Sequence, residues 1–366
     1  MKFVISTQEF NFLVNKCLNV VPAKATAPIL SNILIEAVNG EIRMTATDLT
    51  VGVNCSTEVK VLEEGSTTLP AKKLAQLVRE LTSVNVEVTS NANEITTIVA
   101  DTSRFKLHGM NKTEFPSLPD MSGAIQFKIK QAELKHVLYR TAFAVSRDDT
   151  RYALTGVYMH IANGEASFAG TDGKRLARSI LAIDLDRSFT GGYIIPLKAI
   201  EEILKNLNEY GEATIYLMPD KIAVEASNTL LVTKLLTGDY PDINRVIPEQ
   251  SSTTVPLHRE ELMTLLRQIA LFTTDTTHSV RFAFSSGELN LSANTKDVGE
   301  GRVSMPVNYH GEQIEIAFNP NFFLDILRHT KEETISIGIT DAHNPGVLRD
   351  NSSSLFVLMP MRLNEE

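Results

Sequence analysis

Phe3-Val4-Ile5-Ser6-Thr7-Gln8-Glu9 is answered 124 residues later by Phe127-Lys128-Ile129-Lys130-Gln131-Ala132-Glu133, with the phenylalanine, isoleucine and glutamate in matching places. The correspondence continues without a gap. Asn39-Gly40-Glu41 matches Asn163-Gly164-Glu165, and Ala46-Thr47-Asp48 matches Gly170-Thr171-Asp172. A weaker third copy opens at Val255-x-Leu257-x-x-x-Glu261-Leu262 and continues through Ser286-Gly287-Glu288 and Ala293-Asn294, five residues shorter in between. Three copies of about 120 residues therefore account for almost the whole chain, and the repeat fixes the fold before any motif is considered.

Each copy also repeats itself. Helical spacing marks the opening halves at Phe10, Leu13, Val14 and Cys17, then at Leu134, Val137, Leu138 and Ala142, then at Leu262, Leu265, Leu266 and Ile269. The closing halves show the same period behind a proline: Pro70 before Leu74, Leu77, Val78 and Leu81; Pro196 before Ile200, Ile203, Leu204 and Leu207; Pro320 before Phe323, Ile326 and Leu327. Strand-like alternation follows, broken by Asn39-Gly40 and Asn163-Gly164, the dipeptide that suits a type I′ hairpin turn. Phe115-Pro116 and Tyr240-Pro241 close the first two copies, with linkers expected near 117–125 and 242–253. The expected fold class is α+β: three similar domains at 1–120, 126–248 and 253–366, each built from two strand-helix-strands units.

Composition narrows the classes. The 366 residues include 35 basic and 44 acidic side chains, a formal charge of -9, and 43% are hydrophobic, enough for several cores. No apolar run approaches the roughly 18 residues of a membrane span, and the N-terminus is too short in apolar residues for a signal peptide. Cys17 and Cys55 form no CxxC pair and are expected as reduced thiols in a cytosolic protein.

An acidic chain argues against nucleic-acid binding only if the charge is evenly spread. Helices expected at 7–18, 70–82, 131–145, 196–207, 259–271 and 320–329 carry eleven basic and eight acidic residues, a surplus of three, so the remainder carries -12. Presented on one surface, those helices would make it the basic one and attract phosphate backbones irrespective of sequence.

Catalytic patterns are absent. The eight histidines show no metal spacing, and neither GxSxG nor GxGxxG occurs. Gly170-Thr171-Asp172-Gly173-Lys174-Arg175 fails as a phosphate loop, since Phe168 and Arg175 stand where it needs glycine and Ser or Thr. Asp148-Asp149, flanked by Arg147 and Arg151, is expected to be a solvated loop rather than a metal site. A binding protein without catalytic residues, metal or cofactor is the better expectation.

The residues resemble those of a known family, the bacterial sliding clamp, the beta subunit of DNA polymerase III. The resemblance runs from Met1-Lys2-Phe3 to Leu363 and is carried by Ala27-Pro28-Ile29-Leu30-Ser31-Asn32, Thr47-Asp48-Leu49, Arg151-Tyr152-Ala153-Leu154-Thr155-Gly156, Thr171 to Ala177, Tyr240-Pro241-Asp242 and Met359-Pro360-Met361-Arg362-Leu363. It implies the DNA clamp fold: a head-to-tail homodimer closed into a ring, helices lining the hole, sheets outside, and duplex DNA encircled without sequence specificity. The implied role is a polymerase processivity factor in the cytoplasm, at the nucleoid during replication. Implied partners are the DNA polymerase III catalytic subunit, the clamp loader, and other polymerases and repair proteins carrying a clamp-binding motif.

By position, the resemblance implies DNA contacts at Lys24, Arg79, Arg151, Tyr152 and Lys198. It implies a partner-peptide pocket between the second and third domains, with apolar walls at Leu154, Leu176, Pro241, Val246, Val357, Met359, Pro360 and Met361. Its polar rim would be Thr171, Gly173, Lys174, Arg175, Arg245 and Arg362. Lys174 stands where the family commonly has histidine, and Ala153 where an aromatic often follows the tyrosine. Asn364-Glu365-Glu366 extend past the usual terminal leucine. The competing expectations are a monomeric repeat scaffold that binds peptides without DNA, and an enzyme with a site between repeats.

Overall fold

The computed structural model of the protein describes residues 1–274 and 278–362; the three-residue extension Asn364-Glu365-Glu366 lies outside the described residues. The first copy contains β1 (Lys2–Ser6), α1 (Thr7–Val20), β2 (Asn32–Val38), β3 (Glu41–Thr47), β4 (Val51–Glu58), β5 (Lys60–Glu63), β6 (Gly65–Pro70), α2 (Ala71–Glu80), β7 (Asn85–Ser90), β8 (Ile95–Ala100) and β9 (Ser103–His108). The second contains β10 (Ile125–Lys130), α3 (Gln131–Ala142), β11 (Gly156–Ala162), β12 (Glu165–Thr171), β13 (Arg175–Ala182), β14 (Gly191–Pro196), α4 (Leu197–Asn206), β15 (Glu212–Leu217), β16 (Lys221–Ala226) and β17 (Thr229–Lys234). The third contains β18 (Thr253–His258), α5 (Arg259–Ala270), β19 (Val280–Ser285), β20 (Glu288–Thr295), β21 (Gly299–Pro306), β22 (Ile314–Phe318), α6 (Pro320–Arg328), β23 (Thr334–Ile339), β24 (Gly346–Arg349) and β25 (Ser354–Leu358).

Five α-helices follow directly on a strand and α6 follows β22 after the single residue Asn319, which is the expected strand-helix-strands unit, twice per copy. Local chemistry sets the junctions. Ser6 caps α1 by accepting the Glu9 N–H at 3.2 Å, and its hydroxyl donates to the Glu9 carboxylate at 2.8 Å. Asn319 caps α6, with Pro320 at the first helical position. Pro70 and Pro196, by contrast, end strands and stand just outside their helices. Asn39-Gly40 and Asn163-Gly164 both have positive φ, 54° and 79° in the first pair and 56° and 79° in the second, so both are the two-residue turns expected. Ser227-Asn228 makes another such turn, at φ 49° and 58°, without a glycine to announce it.

The sheets do not respect the repeat boundaries. The chain divides into two compact units, Met1–Lys135 with Lys198–Leu235, and His136–Leu197 with Leu236–Glu366. The first unit holds a five-stranded sheet, β5-β1-β7-β8-β9, and an eight-stranded sheet, β10-β15-β16-β17-β4-β3-β2-β6. The second holds an eight-stranded sheet, β14-β11-β12-β13-β25-β24-β23-β18, and a four-stranded sheet, β21-β20-β19-β22. Each eight-stranded sheet joins strands of two copies through one antiparallel pair, β17 with β4 or β25 with β13. In the first unit α1 buries Phe10, Leu13, Val14 and Cys17, while α2 buries Leu74, Ala75 and Val78 and exposes Lys72, Lys73, Arg79 and Glu80. Each such leucine or phenylalanine contributes roughly 1.5–3 kcal/mol. Cys17 and Cys55 lie in this core with sulfurs 3.8 Å apart, as free thiols.

Candidate functional site

The repeated Thr-Asp pair builds one turn twice. In the second copy the Thr171 hydroxyl donates to the Arg175 carbonyl at 2.6 Å and accepts from the Gly173 N–H at 3.0 Å. Asp172 Oδ1 accepts from the Lys174 and Arg175 amides at 2.9 and 3.0 Å. In the first copy Thr47 and Asp48 make the same bonds to Val51, Leu49 and Thr50. The third turn residue is left-handed in both, Leu49 at φ 74° and Gly173 at φ 83°. The other carboxylate oxygen recruits a cation: Lys198 at 2.5 Å from Asp48, and Arg175 Nε at 3.2 Å from Asp172. Burial pushes Asp48 upward, but the Lys198 ammonium and the Val51 and Thr50 amides outweigh it and hold the carboxyl low.

The turn at 171–175 anchors the expected pocket, all of which lies in the second unit. Met359 donates its N–H to the Lys174 carbonyl at 2.9 Å, and Leu176 lies in register with Val357. Leu176 and Val357 are almost wholly buried, clustered with Ala169, Val347 and Leu355 beneath the half-buried Ile243 and Ile247. They form a packed floor rather than an open wall. Met359, Val246 and Pro241 are exposed around it, Pro360 and Met361 half-buried, and Leu154 buried. On the polar side Lys174, Gly173 and Arg362 are exposed, while Arg245 pairs with Asp242 at 3.3 Å. Tyr240 stacks on Tyr158 at 4.6 Å, and burial pushes its phenol well up.

Arg175 is placed differently from a rim residue. Its Nη1 reaches Asp325 at 2.6 Å, Nη2 donates to the Phe143 carbonyl at 3.0 Å, and the guanidinium lies 4.6 Å from the Phe322 ring centroid. Two carboxylates, a carbonyl and an aromatic face hold that cation, so it fixes the turn. Arg140, counted among the helical charges, is buried in an ion pair with Asp350, and Glu202 is likewise buried against Lys205. One cation and one anion leave the exposed count together, so the surplus of three survives.

The expected DNA contacts fall in both units. Lys24, in the turn after α1, and Arg79, in the last turn of α2, are exposed in the first unit, as is Lys198 at the start of α4 with its charge shared by Asp48. Lys72, not singled out from the sequence, donates to the Ala23 carbonyl at 3.5 Å and so adds a cation beside Lys24. In the second unit two short 3-10 turns span Asp149–Thr155, capped by Asp148 and kinked at Arg151, whose φ of -115° and ψ of 65° are not helical, with Tyr152 just after the kink; they replace the expected plain loop. Arg151 donates to the Asp172 carbonyl and fills the space a side chain at Gly173 would need. Arg151 and Tyr152 line one cavity of about 270 Å³ with Ala153, Leu154, Asp239 and Pro241, so two residues expected on DNA and two expected in the pocket share a wall. Among the described residues no group of three or more His, Cys, Asp or Glu side chains could hold a metal ion. No described helix is long and apolar enough to cross a membrane.

Comparison with known proteins gives the same pattern over the whole chain. Family models for the N-terminal, central and C-terminal domains of the DNA polymerase III beta subunit match residues 1–119, 128–242 and 244–362. The chain is similar to the beta sliding clamp of Chlamydia pneumoniae, 54% identical over 366 residues with 100% of each chain covered. It is similar to a sliding clamp of Bartonella birtlesii solved bound to griselimycin, at 32% identity and TM-score 0.93 over 99% of this chain and 100% of that one. The DNA polymerase sliding clamp of Bacillus subtilis matches at 25% identity and TM-score 0.95, with 100% of both chains covered.

Proposed function

The chain belongs to the DNA polymerase III beta-subunit family, the bacterial sliding clamps, and from that premise we propose that two copies join head to tail around duplex DNA through β9 of one and β21 of the other. The family is a processivity factor and not an enzyme. A polymerase held to its template by a closed ring rebinds at high effective concentration, which is the whole of the mechanistic contribution.

The arithmetic of sheet edges carries the dimer. β4, β13 and β21 are equivalent strands, beginning 124 residues apart at Val51, Arg175 and Gly299. β9, β17 and β25 are equally the third strand after the second helix of their copies. Within the chain β17 pairs with β4 and β25 with β13, leaving β9 and β21 as the unpaired members of the set, each at a sheet edge. Unpaired edges are templates for strand addition, and a second copy offers the matching strand at both ends. A head-to-tail contact that closes after two copies gives a ring. The half-buried Phe105 and Leu107 on β9 would meet Val303 on β21 and the neighbouring Leu271 and Phe272.

Lys24, Arg79, Arg151, Tyr152 and Lys198 are proposed as the DNA contacts. Long cations touching phosphates position a duplex without reading bases, so the ring can slide. The surface of Leu154, Thr171, Gly173, Lys174, Leu176, Pro241, Arg245, Val246, Val357, Met359, Pro360, Met361 and Arg362, with Arg175 as its inner anchor, is proposed to receive peptide segments of the polymerase catalytic subunit, the clamp loader and repair proteins. Domains at 1–120, 126–248 and 253–366, and work in the cytoplasm at the nucleoid, complete the proposal.

The test is retention on DNA. Protein assembled on a nicked circular plasmid by an ATP-driven loader should stay through gel filtration and be lost once the plasmid is linearised. Lys24→Glu with Arg151→Glu should weaken loading, and griselimycin should block capture of polymerase peptide without opening the dimer. A protein that sediments as a monomer at micromolar concentration and binds circle and line alike would refute the ring.

A further inference from the structure

The chain has two cysteines, and the fold sets their sulfurs 3.8 Å apart, both wholly buried. Cys17 lies in the last turn of α1 and Cys55 within β4, 38 residues further on. Cys55 stands at the seam between the first two copies, because its partners in register are Met44 on β3 and Thr229 on β17. Lys16, beside Cys17, reaches the same seam, its ammonium donating to the Thr229 hydroxyl at 2.7 Å. Two neighbouring side chains thus lay the end of α1 across the joint of two copies.

Packing alone does not call for sulfur there. At the spacing of the repeat the equivalent positions are Thr141 and Ser179 in the second copy, and Ile269 and Val303 in the third. Thr141 donates to the Val137 carbonyl at 2.7 Å and Ser179 pairs with Ser354 at 2.9 Å, so those two hydroxyls turn to other partners. A buried thiol packs as a small hydrophobe, and its redox chemistry is what sets it apart from such residues. Two thiols already in contact need about 1.8 Å of approach to reach the S–S bond of about 2.05 Å. The last turn of α1 has that freedom, since the chain leaves it at Val21 and has no regular structure up to Ala27.

We propose that Cys17 and Cys55 are a site of reversible oxidation, closing as a disulfide in the folded protein when a hydroperoxide is present and remaining thiols otherwise. One sulfur, as thiolate, attacks a peroxide oxygen: the S–O bond forms, the O–O bond breaks, and the departing oxygen leaves as water with the thiol's proton. The second sulfur attacks the sulfenic sulfur: the S–S bond forms, the S–O bond breaks, and a second water carries off the other proton. Two thiols give up two electrons, and one peroxide becomes two waters. Burial, then the neighbouring thiol, holds Cys17 up while the Lys16 ammonium works against both, so the thiolate is scarce and the reaction slow. Hydrogen peroxide is little larger than water and needs only the last turn of α1 to loosen, whereas a bulkier reagent waits for unfolding. The closed bond spans 38 residues and fastens α1 over the β4–β17 seam, which stabilises the folded first unit by restricting its unfolded chain. The site depends on neither the ring nor the pocket proposed above.

The test treats full-length protein with hydrogen peroxide at neutral pH, quenches with catalase, and counts thiols in urea with a chromogenic disulfide. Both thiols are expected to disappear together, with a mass loss of two hydrogens, a Cys17–Cys55 linkage within one chain, and full recovery in dithiothreitol. The oxidised protein should melt about 5–10 °C above the reduced one. Cys17→Ala and Cys55→Ala should each abolish the linkage and the gain in melting; if one variant folds poorly, the other carries the comparison. Thiols that survive peroxide in the folded protein and are lost only in urea overturn the inference. So do sulfinic or sulfonic acids without a linkage, disulfides between chains, or a linkage that leaves the melt unchanged or lower.

Discussion

Reversing one charge on the proposed dimer edge should open the ring, and reversing its partner should close it again. Transferring the registers of β17 on β4 and of β25 on β13 to the two free edges sets Phe105 opposite Gly301, Lys106 opposite Glu300 and Arg104 opposite Arg302. Lys106 and Glu300 are both exposed in the single chain, so neither substitution disturbs a core. Arg302 is already held along its own sheet by Asn290 at 3.1 Å, which softens its opposition to Arg104. An exposed cross-strand ion pair contributes roughly 0.2–1 kcal/mol, and like charges opposed cost a similar amount. Lys106→Glu should therefore cost about 1 kcal/mol per interface. A ring has two interfaces, so the dimer constant should weaken about 30-fold for about 2 kcal/mol. Sedimentation equilibrium of Lys106→Glu, Glu300→Lys and the double variant would measure it. Both single variants should dissociate more readily, most clearly at low salt, and the double variant should recover most of the loss. Single variants as tight as the parent, or a double variant weaker than either, would refute the transferred register.

The buried pair gives a second expectation: Arg140→Leu leaves Asp350 charged without its counter-ion and should cost about 3–5 kcal/mol, read as a fall in urea midpoint. Asp350 also sets a pH slope. Burial pushes it up, but the Ser352 hydroxyl and Arg140 outweigh burial and hold it low in the folded state. Its contribution is thus full above the ordinary carboxylate range near about 4 and is lost as pH falls through its depressed folded value, a slope that Asp350→Asn should flatten in melts across acid pH. Gly173→Val should weaken peptide capture with little change in the dimer, since a side chain there meets Arg151 and a left-handed φ of 83°. Both cysteines are buried, and burial holds the Cys17 thiol well up; because the core encloses them, they should label with a disulfide reagent only as fast as the protein unfolds.

What the sequence by itself determined was whatever depends on neighbours along the chain. The six strand-to-helix junctions and the Asn-Gly hairpins rest on spacings of two to four residues, which local hydrogen bonding and side-chain period enforce, and the triplication is read from the recurrence of such marks 124 residues apart. The proposed pocket came from the family resemblance, which local stretches such as the 171–175 turn and the Val357–Met361 run carry. Tertiary structure decided which charges are free and which edges are open. Arg175 and Arg140 read as surface cations until Asp325 and Asp350, far away in sequence, meet them. Cys17 and Cys55 read as two separate thiols until the fold sets their sulfurs 3.8 Å apart. The partition into compact units crosses the repeat boundaries because β17 pairs with β4 and β25 with β13, and such pairing is set by backbone groups that every strand possesses alike. Composition carries no label for the strand beside which another will lie, and so the unpaired β9 and β21 edges, and the partner proposed for them, appear only once the sheets are built.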